Sequence, residues 1–167
     1  MIRPLGLALL LLAQPLAARD SLGVFESWAA FRDTSPKRCY AIAKPTNASA
    51  APDAAASIAT WPDKRVRGQL HIVLSREVAE GAAVRLRVGA KDFALIAKGR
   101  NAWGADPQMD AGIVAALRAA STMSVSARSA KGAFTDRYAL AGAATAMDAA
   151  SIGCAARASG QTTRLPL

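Results

Sequence analysis

The residues in this chain that could do covalent or metal chemistry are few and scattered. Cys39 and Cys154 are its only cysteines, and His71 is its only histidine. Redox exchange favours a close Cys-x-x-Cys pair, and a thiolate nucleophile needs a free cysteine. Here the two cysteines lie near opposite ends of the chain. Two thiolates and one imidazole also fall short of the four ligands of a structural zinc site. A Ser-His-Asp arrangement would have to use His71, which sits at an outward strand position between Leu70 and Ile72. No serine stands in a Gly-x-Ser-x-Gly elbow. Two carboxylates suffice for glycoside hydrolysis. Asp106 and Asp110 are close in sequence, but they precede an apolar periodic stretch, where aspartates cap a helix and complement its dipole. Glu26, Glu77 and Glu80 are the only glutamates, and no phosphate-binding glycine loop is present. These residues predict a protein that is not an enzyme and holds no cofactor or metal. A small hydrolase whose site is invisible in sequence is the catalytic alternative.

The basic residues are more informative. Lysine and arginine number 21 against 12 acidic residues, a formal net charge of +9, which favours anionic partners. Arg85 and Arg87 share one face of a candidate strand. Lys64, Arg65 and Arg67 cluster before another, and Lys98 and Arg100 precede Trp103. Guanidinium groups on an exposed face can hold phosphates or acidic sugars through charge-assisted hydrogen bonds. These seven residues are therefore the candidate anion-binding surface, facing an anionic lipid or lipopolysaccharide, another envelope component or a partner protein. Specific nucleic-acid reading is not expected, because aromatic residues make up only 5% of the chain and no recognition motif is present. Trp28, Trp61 and Trp103 are expected either in the core or, if exposed, at a partner surface. A structural or stress-protective protein without a discrete ligand site is the non-catalytic alternative.

Several stretches could position these groups. Leu70–Leu74, Val84–Val88, Lys91–Ile96 and Met123–Arg128 alternate apolar and polar residues as half-buried strands do. Phe134–Leu140 reads as a hairpin partner, and Cys39–Ala43 and Ala56–Trp61 as further strands. Thr46–Ala55 reads as a loop of residues too small to pack much. Asp110–Ala120 carries Ile113, Val114 and Leu117 at helical spacing. In Ala143–Arg157, Met147, Ala150 and Cys154 share a helical face, which could bring Cys154 to the strand bearing Cys39. The expected fold class is mainly β, a single domain with one short internal helix and one C-terminal helix.

At the N-terminus Met1-Ile2-Arg3 leads into an apolar run from Leu5 to Ala18, broken only at Gln14 and Pro15, and polarity returns at Arg19-Asp20. These are the parts of a secretory signal peptide over residues 1–18, with cleavage expected after Ala18. The apolar core falls short of the roughly 20 residues that span a bilayer, and no later segment could cross one. Cleavage would leave 149 of the 167 residues and, with only Arg3 lost, change the net charge from +9 to +8. The domain is expected over residues 19–158, with a flexible tail at 159–167. In a periplasmic or secreted protein, two cysteines predict one disulfide, Cys39–Cys154.

The order of several motifs carries a resemblance: Trp28 to Phe31, Arg38-Cys39-Tyr40-Ala41-Ile42-Ala43, Trp61-Pro62, Arg65-Val66-Arg67-Gly68, Val84-Arg85-Leu86-Arg87-Val88-Gly89 and Ala102-Trp103. They are followed by Asp110 to Leu117, Ser124 to Arg128, and Phe134 through Tyr138-Ala139-Leu140-Ala141-Gly142. From Trp28 to Cys154 the chain resembles the invasion-associated locus B family of exported Gram-negative bacterial proteins. The resemblance implies an antiparallel β-sandwich-like domain, an extracytoplasmic location and, for some members, a link to host-cell invasion. It brings no catalytic residues. The additional cysteine associated with the family before the internal helix has no counterpart in Lys98–Asp110.

Overall fold

The computed structural model describes residues 19–47 and 50–155. The expected signal peptide, the tail at 159–167 and Arg157 at the end of the expected second helix lie outside the described residues. Ten strands are described: β1 (Arg19–Phe25), β2 (Trp28–Thr34), β3 (Lys37–Ala43), β4 (Ala55–Trp61), β5 (Val66–Val73), β6 (Val84–Val88), β7 (Lys91–Lys98), β8 (Asn101–Trp103), β9 (Thr122–Ser129) and β10 (Gly132–Ala139). Two helices accompany them, α1 (Pro107–Ala119) and α2 (Ala143–Ala155). The strands form one antiparallel sheet in the order β1-β2-β3-β4-β5-β8-β7-β6-β9-β10. The mainly-β single domain with two helices is therefore as the sequence predicts.

Alternation makes the strands legible. In β6 the residues Val84, Leu86 and Val88 are buried while Arg85 and Arg87 are exposed. Gly89 then takes a left-handed φ of 55°, which a tight hairpin demands and glycine adopts without strain, and Val88 pairs with Lys91 across the turn. One face of the sheet holds Leu70, Ile72, Leu86 and Val125, all with almost no solvent contact, and Ile113 and Leu117 of α1 join them in a single core. Met147, Ala150 and Cys154 of α2 enter the same core, on the shared face the sequence predicts.

The sheet folds back on itself. The outer edge of β10 is bonded to the other half of the molecule: the Thr46 N–H donates to the Arg137 carbonyl (2.7 Å) and the Arg137 N–H to Asn47 Oδ1 (2.9 Å). The buried Trp28 indole donates to the Ala139 carbonyl at 2.9 Å. Both halves thereby enclose one core, a sandwich-like arrangement. The Thr46–Ala55 loop does more than its small residues suggest: Ala54 is fully buried, and Asp53 binds Arg100 through both carboxylate oxygens at 2.8 Å.

Cys39 and Cys154 form a disulfide between β3 and α2. At the start of α1 the two aspartates divide the work. Asp106 is the cap, its Oδ1 accepting from the Met109 N–H at 2.8 Å. Asp110 is buried and accepts from the Leu70 N–H at 3.1 Å. Strand β8 ends at Trp103 opposite His71, so the Leu70 amide lies past its reach, and a buried amide needs an acceptor. Burial pushes the Asp110 carboxyl above its usual range; the Leu70 hydrogen bond opposes this and the charge of Asp106 adds to it.

Candidate anion-binding face

The register of four strands assembles a cationic face that no single segment encodes. Arg87 lies opposite Asp92 on β7 and Ser124 on β9, and Ser124 lies opposite Arg137 on β10. One step along, Arg85 pairs with Ala94 and Ser126, and Ser126 with Thr135. Arg128 and Ala133 form the next pair. The intervening residues Leu86, Val125 and Phe134 point into the core, so Arg85, Arg87, Arg128 and Arg137 all emerge on the other face with three hydroxyls among them. Arg87 and Arg137 stand two strands apart, about 10 Å between backbones, on opposite sides of Ser124. Both line an open depression of about 390 Å³ that also includes Thr46, Thr122 and Ser124.

The electrostatics are uneven. Arg87 is held by Asp92 through two hydrogen bonds of 2.9 Å. That bonding keeps the Asp92 carboxyl below its usual range, helped by the charges of Arg87 and Arg85. Among the described residues Arg85, Arg128 and Arg137 enter no ion pair. Ser126 and Thr135 share a hydrogen bond of 2.9 Å, which orders the middle of the face.

The seven cations singled out in the sequence do not form one surface. Arg85 and Arg87 belong to the face just described, and Lys98 is exposed at the end of β7 opposite Asn101. Arg100 is a structural clamp: besides Asp53, its Nε donates to the Leu74 carbonyl at 2.8 Å. Lys64 lies over the Trp61 ring, 4.9 Å from its centroid. Arg65 and Arg67 line a different cavity, against the helices. Sequence reasoning missed Arg128 and Arg137. Their own strands alternate clearly, but joining them to Arg85 and Arg87 requires the β6-β9-β10 pairing.

A second feature escaped the sequence reading. On the outer face of β1–β4 cations and rings interleave: Arg19 lies over Phe31 and Tyr40, and Arg38 over Tyr40 and Trp61. Asp33 accepts from both arginines, at 3.3 and 2.8 Å. This cover leaves Tyr40 only 3% exposed, though it sits on the face opposite the core residues Cys39 and Ala41. Trp61 and Trp103 are half-buried on the outer side, whereas Trp28 is core.

Of the groups considered for catalysis, Asp106 and Asp110 are the two engaged at the start of α1. The His71 ring shares a hydrogen bond of 2.9 Å with Asn101 Oδ1. The fully buried Asp136 accepts from the Ser75 N–H at 2.8 Å. Among the described residues no three His, Cys, Asp or Glu side chains gather where a metal ion could sit, and no helix is long and apolar enough to cross a membrane.

No curated protein and no solved structure matches the chain. The family model described as invasion associated locus B (IalB) protein matches residues 28–151, a span that runs from the first core tryptophan through the cationic face and into α2. With three quarters of its length matched, the chain belongs to the invasion associated locus B family.

Proposed function

We propose that the protein is an exported, non-enzymatic binding module that engages phosphorylated or acidic envelope components, lipopolysaccharide among them, through the outer face of β6, β9 and β10. The observation that carries this reading is the convergence of Arg87 and Arg137 on the Ser124 depression, with Arg85 and Arg128 on the same face. Arginine forks match phosphate oxygens in pairs, and hydroxyls beside them supply further donors. Export is supported by family membership, by the disulfide, which persists in oxidising compartments, and by the apolar N-terminal run. The non-enzymatic reading is supported by the engagement of His71 with an amide and of Asp106 and Asp110 with backbone N–H groups.

The test is binding of the protein to vesicles carrying phosphatidylglycerol or lipopolysaccharide, at low and at physiological salt. Arg85→Ala/Arg87→Ala and Arg128→Ala/Arg137→Ala variants run alongside. Binding that persists at physiological salt and falls at least tenfold in both variants supports the face. Equal loss with salt in all three proteins, as screening of scattered charge would give, refutes it and leaves a protein partner or a structural role.

A further inference from the structure

Arg65 and Arg67, two of the three cations that the sequence groups ahead of Leu70, line a second cavity. Strands β4 and β5 pair regularly until their register shifts between Ala59 and Trp61. On β5 the irregularity falls at Gly68, whose φ is +67° and where a Cβ would press on Val114 of α1 at 3.3 Å. Bulges re-aim the side chains beside them. Just before it, a 3₁₀ turn over Pro62–Lys64 closes on Arg65, whose N–H donates to the Pro62 carbonyl. Arg65 adopts a left-handed backbone, φ 56° and ψ 27°, a conformation that a bulky residue holds only where its surroundings impose it.

The result is a cavity of about 530 Å³ between β4–β5 and the two helices. Ile58, Val114, Met147, Ala150 and the disulfide sulfur-bearing Cys154 give it apolar walls, and Arg65 and Arg67 stand among its lining as exposed cations. Among the described residues neither arginine enters an ion pair and no acidic side chain lines the cavity. Arg118, the third lining cation, is already neutralised by Asp148 at 2.7 Å. Small-molecule sites are typically cavities of about 300–1,000 Å³ with apolar walls and a few placed polar groups. An inorganic anion would use the guanidinium groups and leave the walls idle, and a neutral hydrocarbon the reverse.

We infer that this cavity binds a single-chain anionic amphiphile, its carboxylate or phosphate head at Arg65 and Arg67 and its acyl chain along Ile58, Val114, Met147 and Ala150. The site is separate from the β6-β9-β10 face and does not rest on that reading. Each methylene that leaves water adds roughly fourfold in affinity, so chain length is a sensitive probe.

The experiment is isothermal titration of the full chain with octanoate, decanoate and dodecanoate below their micelle concentrations, with dodecyl phosphate and dodecyltrimethylammonium in parallel. Affinity should rise at least tenfold from octanoate to dodecanoate. Arg65→Gln/Arg67→Gln should weaken dodecanoate at least tenfold, and Ser151→Trp, at an exposed lining position, should block it. Arg128→Ala/Arg137→Ala should leave it unchanged. Tighter dodecanoate identifies a fatty-acid head and tighter dodecyl phosphate a lysophospholipid-type head; either supports the site. Equal binding of octanoate and dodecanoate, an unaffected double glutamine variant, or dodecyltrimethylammonium binding as tightly as dodecanoate would overturn it. Should the double variant fail to fold by circular dichroism, Ser151→Trp decides alone.

Discussion

Reducing the Cys39–Cys154 bond is the most quantitative perturbation the fold offers. The two residues are 115 apart in sequence, and in the chain-entropy account a loop of that length removes about 4.8 kcal/mol of unfolded-state freedom at 25 °C. Folded domains hold only about 5–15 kcal/mol in total, so the bond is a large fraction of the whole. Its local surroundings point the same way. Much of the face that α2 buries is small, with Ala143, Ala146, Ala150 and Gly153 alongside Met147 and Cys154. Apart from the disulfide, its last turn is tied by a 3.4 Å hydrogen bond from Arg32 to the Gly153 carbonyl. Urea unfolding followed by tryptophan fluorescence, with and without reductant, should show a loss of roughly 3–5 kcal/mol. The denaturant slope should rise as the unfolded chain expands. Thermal midpoints should fall by roughly 4 °C per kcal/mol lost. A loss below about 1 kcal/mol with an unchanged slope would refute the reasoning, since loop closure would then contribute little.

Two other perturbations test individual polar contacts. Asp110→Ala leaves the buried Leu70 N–H without its acceptor and should cost about 1–3 kcal/mol in urea melts, while Asp110→Asn keeps an acceptor oxygen and should cost less. Because burial raises the Asp110 pKa in the fold above 3.8, the native state holds that proton more tightly than the unfolded chain. Its contribution to stability therefore declines as pH rises from the unfolded value through the raised one. Asp110→Asn should flatten that part of a stability profile taken from about pH 3 to about pH 7, and an unchanged profile would contradict the assignment. Asp92→Asn frees Arg87 from its intramolecular carboxylate, so vesicle binding should tighten roughly two- to fivefold. Weaker binding would mean that the pair positions Arg87 rather than occupying it.

How much of this was legible in the sequence depended on whether the signal was local. β6 was read to its limits, and β7, β9 and β10 to within two residues, because their inward and outward residues alternate. β3 and β4, buried without that alternation, were read to within two, and β5 only from Leu70, four residues in. β1 and β2 were not recognised as strands. Gly23 shifts the register within β1, and β2 places Phe31 on the outer side, so both lose the alternating pattern. β8, three residues long, is too short to show a period. The disulfide needed only two cysteines and a helical face. The sites needed more: Arg137 meets Arg87 through two strand pairings, and Arg67 reaches the helices only beside an irregularity at Gly68. A list of basic residues contains both sites and separates neither.

The two ends of the sheet differ in what they leave available to a neighbouring molecule. On β10 the Arg137 N–H and carbonyl are occupied by Asn47 and Thr46, whereas β1, the other terminal strand, has no such backbone bond on its outer edge among the described residues. Growth of a fibre by strand addition needs a free template on both sides of every unit. With Arg137 held from within, the β10 edge is a poorer template than the β1 edge. The loop that stitches Arg137 to the first half of the fold therefore also makes that edge a less ready template for strand addition.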